Sequence, residues 1–476
     1  MPTREVNMPI IQSRRDLLRH LACGFGSVAL HTLLSEEAHG ASIASDPLAP
    51  RPSHHTPKAR RVIFLFMHGG VSHVDSFDPK PRLAQMHGKP LPIAKPQFEF
   101  GGTGNLLASP WKFKKYGQSG IEVSDLFPHI GSMIDEICVI RSMNGGNEVS
   151  HGPALLRLNT GDGVFNRPSL GAWTLYGLGT ENRDLPGFIS LSPSLYHGGA
   201  QNYGSAFLPA SFQGTRVGDG NTQFGKGGLA NTTPAEGNDL QRLQLDLLAS
   251  ANREHLARSG ADARLEARIA TFELAFRMQA SAPRLFDLAD ESTQTHRLYG
   301  IGEEPTEEYG RQCLQARRLI EAGVRFVQVN HSYPRNYWDA HGDLKNNHTT
   351  NAKKVDKPIA GLLKDLRQRG LLDDTLVVFG TEFGRTPAAQ GTDGRDHHPH
   401  AFSMWAAGGG IRGGITHGAT DDFGYYVAEN KVTIPDFHAT LLHLLGLDHT
   451  RLTFRHAGRD FRLTDVHGSV VKAILA

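Results

Sequence analysis

Four stretches of this sequence combine carboxylates with imidazoles. The first is Met67-His68-Gly69-Gly70-Val71-Ser72-His73-Val74-Asp75-Ser76-Phe77-Asp78. The second is Asn330-His331 with the nearby Trp338-Asp339-Ala340-His341-Gly342-Asp343. The third is Thr381-Glu382-Phe383-Gly384-Arg385, and the fourth is Asp396-His397-His398-Pro399-His400. Carboxylate oxygens and imidazole nitrogens together are ligands for zinc, manganese, calcium or similar divalent ions. Taken singly, each stretch has a structural reading: Asp78-Pro79 as a turn, Asp339 as a helix cap, Asp396-His397-His398 as a solvated loop. Jointly they point to a metal site, because each falls at the same kind of place, beside an apolar strand.

The strands are read from continuous apolar runs. Arg61 to Met67 is bounded by charge and by Gly69-Gly70, as a buried parallel strand should be. Similar runs lie at Ile137–Ile140, Leu185–Leu191, Val324–Val329, Thr375–Phe379 and Phe402–Ala407. Helical periodicity covers 238–283, 306–322, 351–369 and 435–445. Alternating strands and helices predict an α/β fold, a mostly parallel central sheet with helices on both faces. In such sheets ligands bind beyond the carboxyl ends of the strands, where the four stretches lie.

The chain has 476 residues with 50 Lys+Arg, 48 Asp+Glu and 25 His, a net charge of +2 with His neutral. That balance argues against a nucleic-acid partner. Cys138 and Cys313 sit in apolar patterns and read as buried free thiols, and without a CxxC pair there is no zinc ribbon. Ser13-Arg14-Arg15-Asp16-Leu17-Leu18-Arg19, the apolar stretch Leu21–Leu34 and the small residues after it predict a twin-arginine signal peptide and lead-in over 1–45. The expected location is periplasmic or extracellular, with no stable membrane span. A single domain is expected over 55–476, with a helical and loop insert around 200–300.

Several motifs then resemble one family. They are Asp75-Ser76-Phe77-Asp78-Pro79-Lys80-Pro81, Pro168-Ser169-Leu170-Gly171, Phe207-Leu208-Pro209-Ala210, Asp339-Ala340-His341, Thr381-Glu382-Phe383-Gly384-Arg385-Thr386-Pro387, Asp396-His397-His398-Pro399 and Gly458-Arg459-Asp460-Phe461-Arg462-Leu463-Thr464-Asp465. Together they resemble the exported, sulfatase-like proteins of domain of unknown function 1501, placed in the alkaline-phosphatase superfamily. The resemblance implies an alkaline-phosphatase/sulfatase-like fold and one or two metals acting on phosphate or sulfate esters. It implies Asp339 and His341 as the first metal pair and His397 as its later histidine. Glu382 stands where a ligand Asp is usual, and Phe383 where a ligand His is usual. His68 stands at the first-strand ligand place, with Asp75 and Asp78 close behind.

The nucleophile departs from the family pattern. Sulfatases carry Cys-x-Pro-x-Arg nine residues before a Thr-Gly pair. Here the pair is Thr160-Gly161 and the place holds His151, in His151-Gly152-Pro153. The formylglycine cysteine is absent. His151 is open to three roles, nucleophile, metal ligand or oxyanion donor, or it is an ordinary first-turn helix residue. Ser150 is a nucleophile candidate if the register slips by one. Arg385 is a candidate anion clamp or a salt-bridge partner of a nearby carboxylate. The expected function is an exported metal-dependent hydrolase of sulfate or phosphate esters, acting on an anionic ester or polymer. The alternatives are a non-catalytic envelope protein that binds sulfated or phosphorylated polymer, and a metal-stabilised structural protein.

Overall fold

The structure is a computed structural model that describes residues 47–94, 104–225, 237–259 and 263–476. The twin-arginine segment lies outside them. Leu48–Ala476 forms one compact unit.

Its frame is a nine-stranded sheet. The strands that matter for the site are β1 (Arg61–Met67), β2 (Ile137–Asn144), β3 (Phe188–Leu191), β4 (Thr215–Val217), β5 (Phe326–His331) and β6 (Thr375–Gly380). A separate hairpin, β7 (Gly384–Gln390) with β8 (Gly394–His398), follows β6. β9 (Phe402–Ala407), β10 (Ile415–His417) and β11 (Val432–Thr433) complete the sheet. The order is β10-β2-β9-β6-β1-β5-β3-β4, with β11 also on β2. β1 runs parallel to both neighbours, pairing Met67 with His331 and Phe66 with Gly380. Only β9 runs antiparallel, between β2 and β6. The mostly parallel α/β fold expected from the sequence is therefore the observed one.

Alternation along β1 sorts its side chains onto two cores. Ile63, Leu65 and Met67 pack with Leu314 and Leu319 of one helix and Ile359 and Leu362 of another. Val62, Phe64 and Phe66 pack on the opposite face with Leu155, Trp173 and Leu441. The helices involved are α1 (His151–Thr160), α2 (Leu170–Leu178), α5 (Glu307–Glu321), α6 (Leu344–Gln368) and α7 (Ile434–Leu444). Full burial of each such side chain contributes about 1.5–3 kcal/mol, which fixes the strand against both layers. Cys138 and Cys313 are buried and free, as expected. Among the described residues no helix is long and apolar enough to cross a membrane.

Three elements differ from the periodicity reading. The helical stretch expected over 238–283 runs on to Phe286 and comprises α3 (Asn238–Ser259) and α4 (Ala263–Phe286). α6 starts at Leu344 rather than 351, because its first turns bury polar residues such as His348 and Asn351 and so lack an apolar stripe. The β7–β8 hairpin carries Arg385, Arg395, His397 and His398 inward, fully or nearly fully buried, and no hydrophobic pattern announces such strands.

Candidate metal centre

The carboxyl ends of β1, β5 and β6 bring the chemistry together. β1 hands over to His68 and then to Gly69 and Gly70, both at positive φ (116° and 82°). A Cβ on Gly69 would lie 2.6 Å from the Trp338 amide nitrogen and 2.7 Å from that of Asp339. Glycine at 69 is what lets the 338–341 segment cross the end of β1. Gly394 does the same for the hairpin, since a Cβ there would lie 1.9 Å from the His341 carbonyl oxygen. Beyond β6, the Gly69 N–H donates to Glu382 Oε1 at 2.8 Å, and the Gly70 N–H donates to Thr381 Oγ1 at 3.1 Å.

Asp339 is the hub. His341 Nε2 and His397 Nε2 each lie 3.0 Å from its Oδ1, and 3.1 Å from one another. His151 Nε2 lies 3.5 Å from Asp339 Oδ2, and His151 Nδ1 lies 2.8 Å from Glu382 Oε1. His68 Nε2 lies 3.0 Å from His197 Nδ1. Three overlapping groups result: His68, His151 and Glu382; His151, Asp339 and His397; His341, Asp396 and His397, each with ligand atoms within 4.8 Å of one another. Tetrahedral ligands held about 2.0–2.1 Å from a zinc-sized ion lie about 3.3 Å apart, so the Asp339, His341 and His397 triangle is close to the required size. His151 Nε2 is buried, and its contact with Asp339 Oδ2, at 3.5 Å, is too long for a well-formed hydrogen bond and leaves the nitrogen able to take an ion. The donor set fits a divalent cation.

The electrostatics agree. Burial works against the Asp339 carboxylate. Hydrogen bonds with His151, His341 and His397, and the nearby Arg385 charge, outweigh it and hold the group well below the usual carboxylate range. Burial also opposes the charge on Glu382, but the His151 hydrogen bond and the electrostatic influence of the neighbouring His68 and His151 bring it down to about 2. Burial lowers His68 to about 3 and His397 to about 4. Burial lowers His151 too, but hydrogen bonds to Asp339 and Glu382 reverse the sign and raise it. The hydrogen bond to Asp339 raises His341. Solvent reaches the cluster beside His341, whose side chain is 32% exposed.

Of the residues singled out from sequence, Asp339, His341, His397, Glu382, His68 and His151 converge. Asp75 and Asp78 do not join them. Asp75 is fully buried against Arg395, with contacts of 2.7 and 3.2 Å, and accepts from Ser72. Asp78 faces Lys80 at 3.1 Å and accepts from Thr420. Asp75 ends the short helix 73–75 and Asp78 follows it; both are buried and face cations inside the fold, the fully buried Arg395 and the part-buried Lys80. Arg385 does not face solvent, where an anion clamp would have to reach. It is fully buried, and its N–H groups donate to the carbonyls of Gly69, Gly70 and Arg395 and to Asp339. It positions Asp339 through the salt bridge that was the alternative reading. Ser150 occupies the cap position of α1, with extended backbone, one residue ahead of His151. Phe383 supplies a wall, its ring centroid 4.4 Å from that of His397 and 5.0 Å from that of His151.

The sequence reading missed His197, Tyr337 and Gln390 as neighbours of the cluster and left Asp396 out of its ligand set. His197 follows β3, so the strand-end rule alone could have found it. Gln390 meets His341 Nδ1 from the hairpin, and the Tyr337 ring lies 5.2 Å from that of His151.

The family model described as "Protein of unknown function (DUF1501)" matches residues 59–475. The chain belongs to this family. No curated protein matches it. Similar solved structures include the lipoteichoic acid synthase LtaP from Listeria monocytogenes, at 10% identity and TM-score 0.38 over 87% of this chain and 78% of that one. The PsFucS1 sulfatase from Pseudoalteromonas sp. aligns at 12% identity and TM-score 0.32 over 89% of this chain and 71% of that one. The alkaline phosphatase from the Antarctic bacterium TAB5 aligns at 11% and 0.32 over 82% and 98%. Superpositions this loose show a shared fold and carry nothing about the activity of the DUF1501 chain.

Proposed function

We propose that this DUF1501 chain is an exported metal-dependent hydrolase of sulfate or phosphate esters, acting on an anionic ester or polymer in the periplasm or outside the cell. The observation that carries the reading is the Asp339 hub, one carboxylate shared by His341, His397 and His151 at a strand-end edge. Asp339, His341 and His397 would hold a divalent ion, with Glu382, His68 and His151 able to hold a second or to extend the first site. A bound ion supplies Lewis acidity toward an ester oxygen and lowers the pKa of water. Thr381 Oγ1, beside Glu382, is occupied by Gly70, Val71 and Glu382. His151, bridging Asp339 and Glu382, is the chain's own candidate for proton transfer or oxyanion contact, with Ser150 next to it as the candidate hydroxyl nucleophile. Export rests on the Arg14-Arg15 motif and its apolar stretch.

The test is turnover of p-nitrophenyl sulfate and p-nitrophenyl phosphate by metal-loaded protein. Wild type should hydrolyse one of them, and His151→Ala should lose most of that activity while keeping its fold. Absence of turnover on both, by fully loaded protein, would sink the hydrolase reading. Two observations favour the second reading, a non-catalytic binder of sulfated or phosphorylated polymer. Phe383 packs against two of the imidazoles, and Arg385 has no donor facing outward. A binder would retain such a polymer without consuming it.

A further inference from the structure

Three of the motifs that carry the family resemblance take no part in the metal centre: Pro168–Gly171, Phe207–Ala210 and Gly458–Asp465. They meet around one cavity of about 190 Å³, lined by Pro168, Phe207 and Arg462–Asp465 among others. His151 begins α1 in the metal centre, and Thr160 ends it at this cavity. At about 1.5 Å per residue, the two ends lie roughly 14 Å apart. Gly161 closes the helix at φ 80°, and a Cβ there would lie 2.4 Å from the Leu463 carbonyl oxygen. Glycine at 161 therefore lets the 458–465 segment cross the helix end. The Phe207 ring, centred 5.0 Å from that of Phe461, holds the second motif against the third.

Three arginines line the cavity, and solvent reaches all of them. The side chains of Arg157 and Arg167 are 31% and 15% exposed, and Arg462 is half-buried. Arg157 is paired with Glu148. Both carboxylates in the lining are also taken. Asp162 pairs with Arg167 at 3.2 Å and accepts from the N–H groups of Val164 and Phe165, and Asp465 pairs with Arg459. Arg462 is left over. Its Nε donates to the Asp465 carbonyl, and among the described residues it pairs with no carboxylate. Its two terminal nitrogens have no partner there either, and they are open to solvent. The last carbonyls of α1 do not compete for them: those of Leu156, Arg157 and Leu158 meet Thr160 Oγ1, the Gly161 N–H and His438 Nε2.

A guanidinium with free, reachable N–H groups beside two more of its kind suits an oxyanion, because its fork matches the oxygens of sulfate and phosphate. The space exceeds one such group. At about 30 Å³ per water, the cavity has room for roughly six. A second cavity of about 350 Å³ adjoins it, and Arg157, Pro435 and His467 belong to both walls. The one carboxylate lining this second cavity, Asp436, accepts from the Thr433 hydroxyl and from the N–H groups of Thr433 and Ser469. The two cavities form one groove, which suits a chain rather than a free ion. We propose that this groove binds a sulfate or phosphate group carried on a polymer, with Arg462 as its principal contact. The proposal rests on the reading of an anionic polymer as ligand and adds a second place on the protein that holds it. It does not depend on turnover at the metal centre.

The experiment is calorimetric titration of the full mature protein with dextran sulfate, polyphosphate, uncharged dextran and inorganic sulfate. An ionic strength of about 0.15 M screens diffuse attraction. Wild type should bind at least one of the two polyanions saturably and uncharged dextran not at all. Arg462→Gln should weaken that binding at least about tenfold. His467 is exposed, so His467→Glu puts a negative charge in the shared wall without disturbing the core, and it should weaken binding by a similar factor. Asp339→Ala/His341→Ala should bind as wild type does, and polymer bound without turnover would sink the hydrolase reading while supporting the groove. Absence of saturable binding to either polyanion overturns the proposal, as does affinity that Arg462→Gln and His467→Glu both leave unchanged. Binding lost only in the Asp339→Ala/His341→Ala variant would put the polymer at the metal centre and overturn it too. Inorganic sulfate bound as tightly, per sulfate, as the polymer would overturn the preference for a chain.

Discussion

His151 Nδ1 lies 2.8 Å from Glu382 Oε1, although 231 residues separate them in the chain. The contact ties the first turn of α1 to the end of β6. It also places His151 Nε2 toward Asp339, so that one imidazole spans two carboxylates that would otherwise belong to separate groups. This bridge makes the three candidate groups one continuous site.

Arg385 is expected to act through position rather than through substrate. Arg385→Met leaves the carbonyls of Gly69, Gly70 and Arg395 without their donors and removes a cation from Asp339. The loss of stability should be at least about 3 kcal/mol, read from urea unfolding. Arg385→Lys should recover only part of it, since an ammonium cannot reproduce the fork. A variant that keeps full stability and loses only oxyanion affinity would return Arg385 to the clamp role.

Asp75 gives the complementary case. Its carboxylate and the Arg395 guanidinium are both fully buried and paired. Asp75→Asn leaves a buried cation without its counter-charge and should cost roughly 3–5 kcal/mol. Metal content of the folded fraction should stay at the wild-type level. Loss of metal without loss of stability would make Asp75 a ligand after all.

Metal affinity should fall as pH falls, because an ion and a proton compete for the same imidazole nitrogen. Hydrogen bonds to carboxylates raise His151 and His341 above the ordinary histidine value, so these two carry the competing protons. His68 and His397, at about 3 and about 4, are already neutral near neutral pH, and Glu382, at about 2, is already charged. The slope of log affinity against pH should therefore be positive and no steeper than about two, flattening once both histidines have lost their protons. Competitive zinc titrations across the mildly acidic to neutral range check this, and a slope near zero would contradict it.

The sheet was legible because its strands are long apolar runs buried on both faces, and the periodicity of 61–67 and 402–407 matches the observed strands residue for residue. The ligand set was legible in part for the same reason, since strand ends in a parallel sheet share one edge. What stayed hidden were the partners of each charge. Nothing local distinguishes Asp75, which meets a guanidinium 320 residues away, from Asp339, which meets imidazoles. Arg385 looked available because it follows a strand end, yet the hairpin it starts folds back and buries it. The hairpin itself is polar in sequence because it carries the site.

The most direct measurement is elemental metal analysis of the mature protein, wild type beside Asp339→Ala/His341→Ala. Wild type should carry at least one divalent ion per chain, and the folded double variant should lose it. A wild-type protein that is folded and still holds no ion after loading with zinc, manganese or calcium would contradict the metal centre and leave the cluster as a hydrogen-bonded structural network.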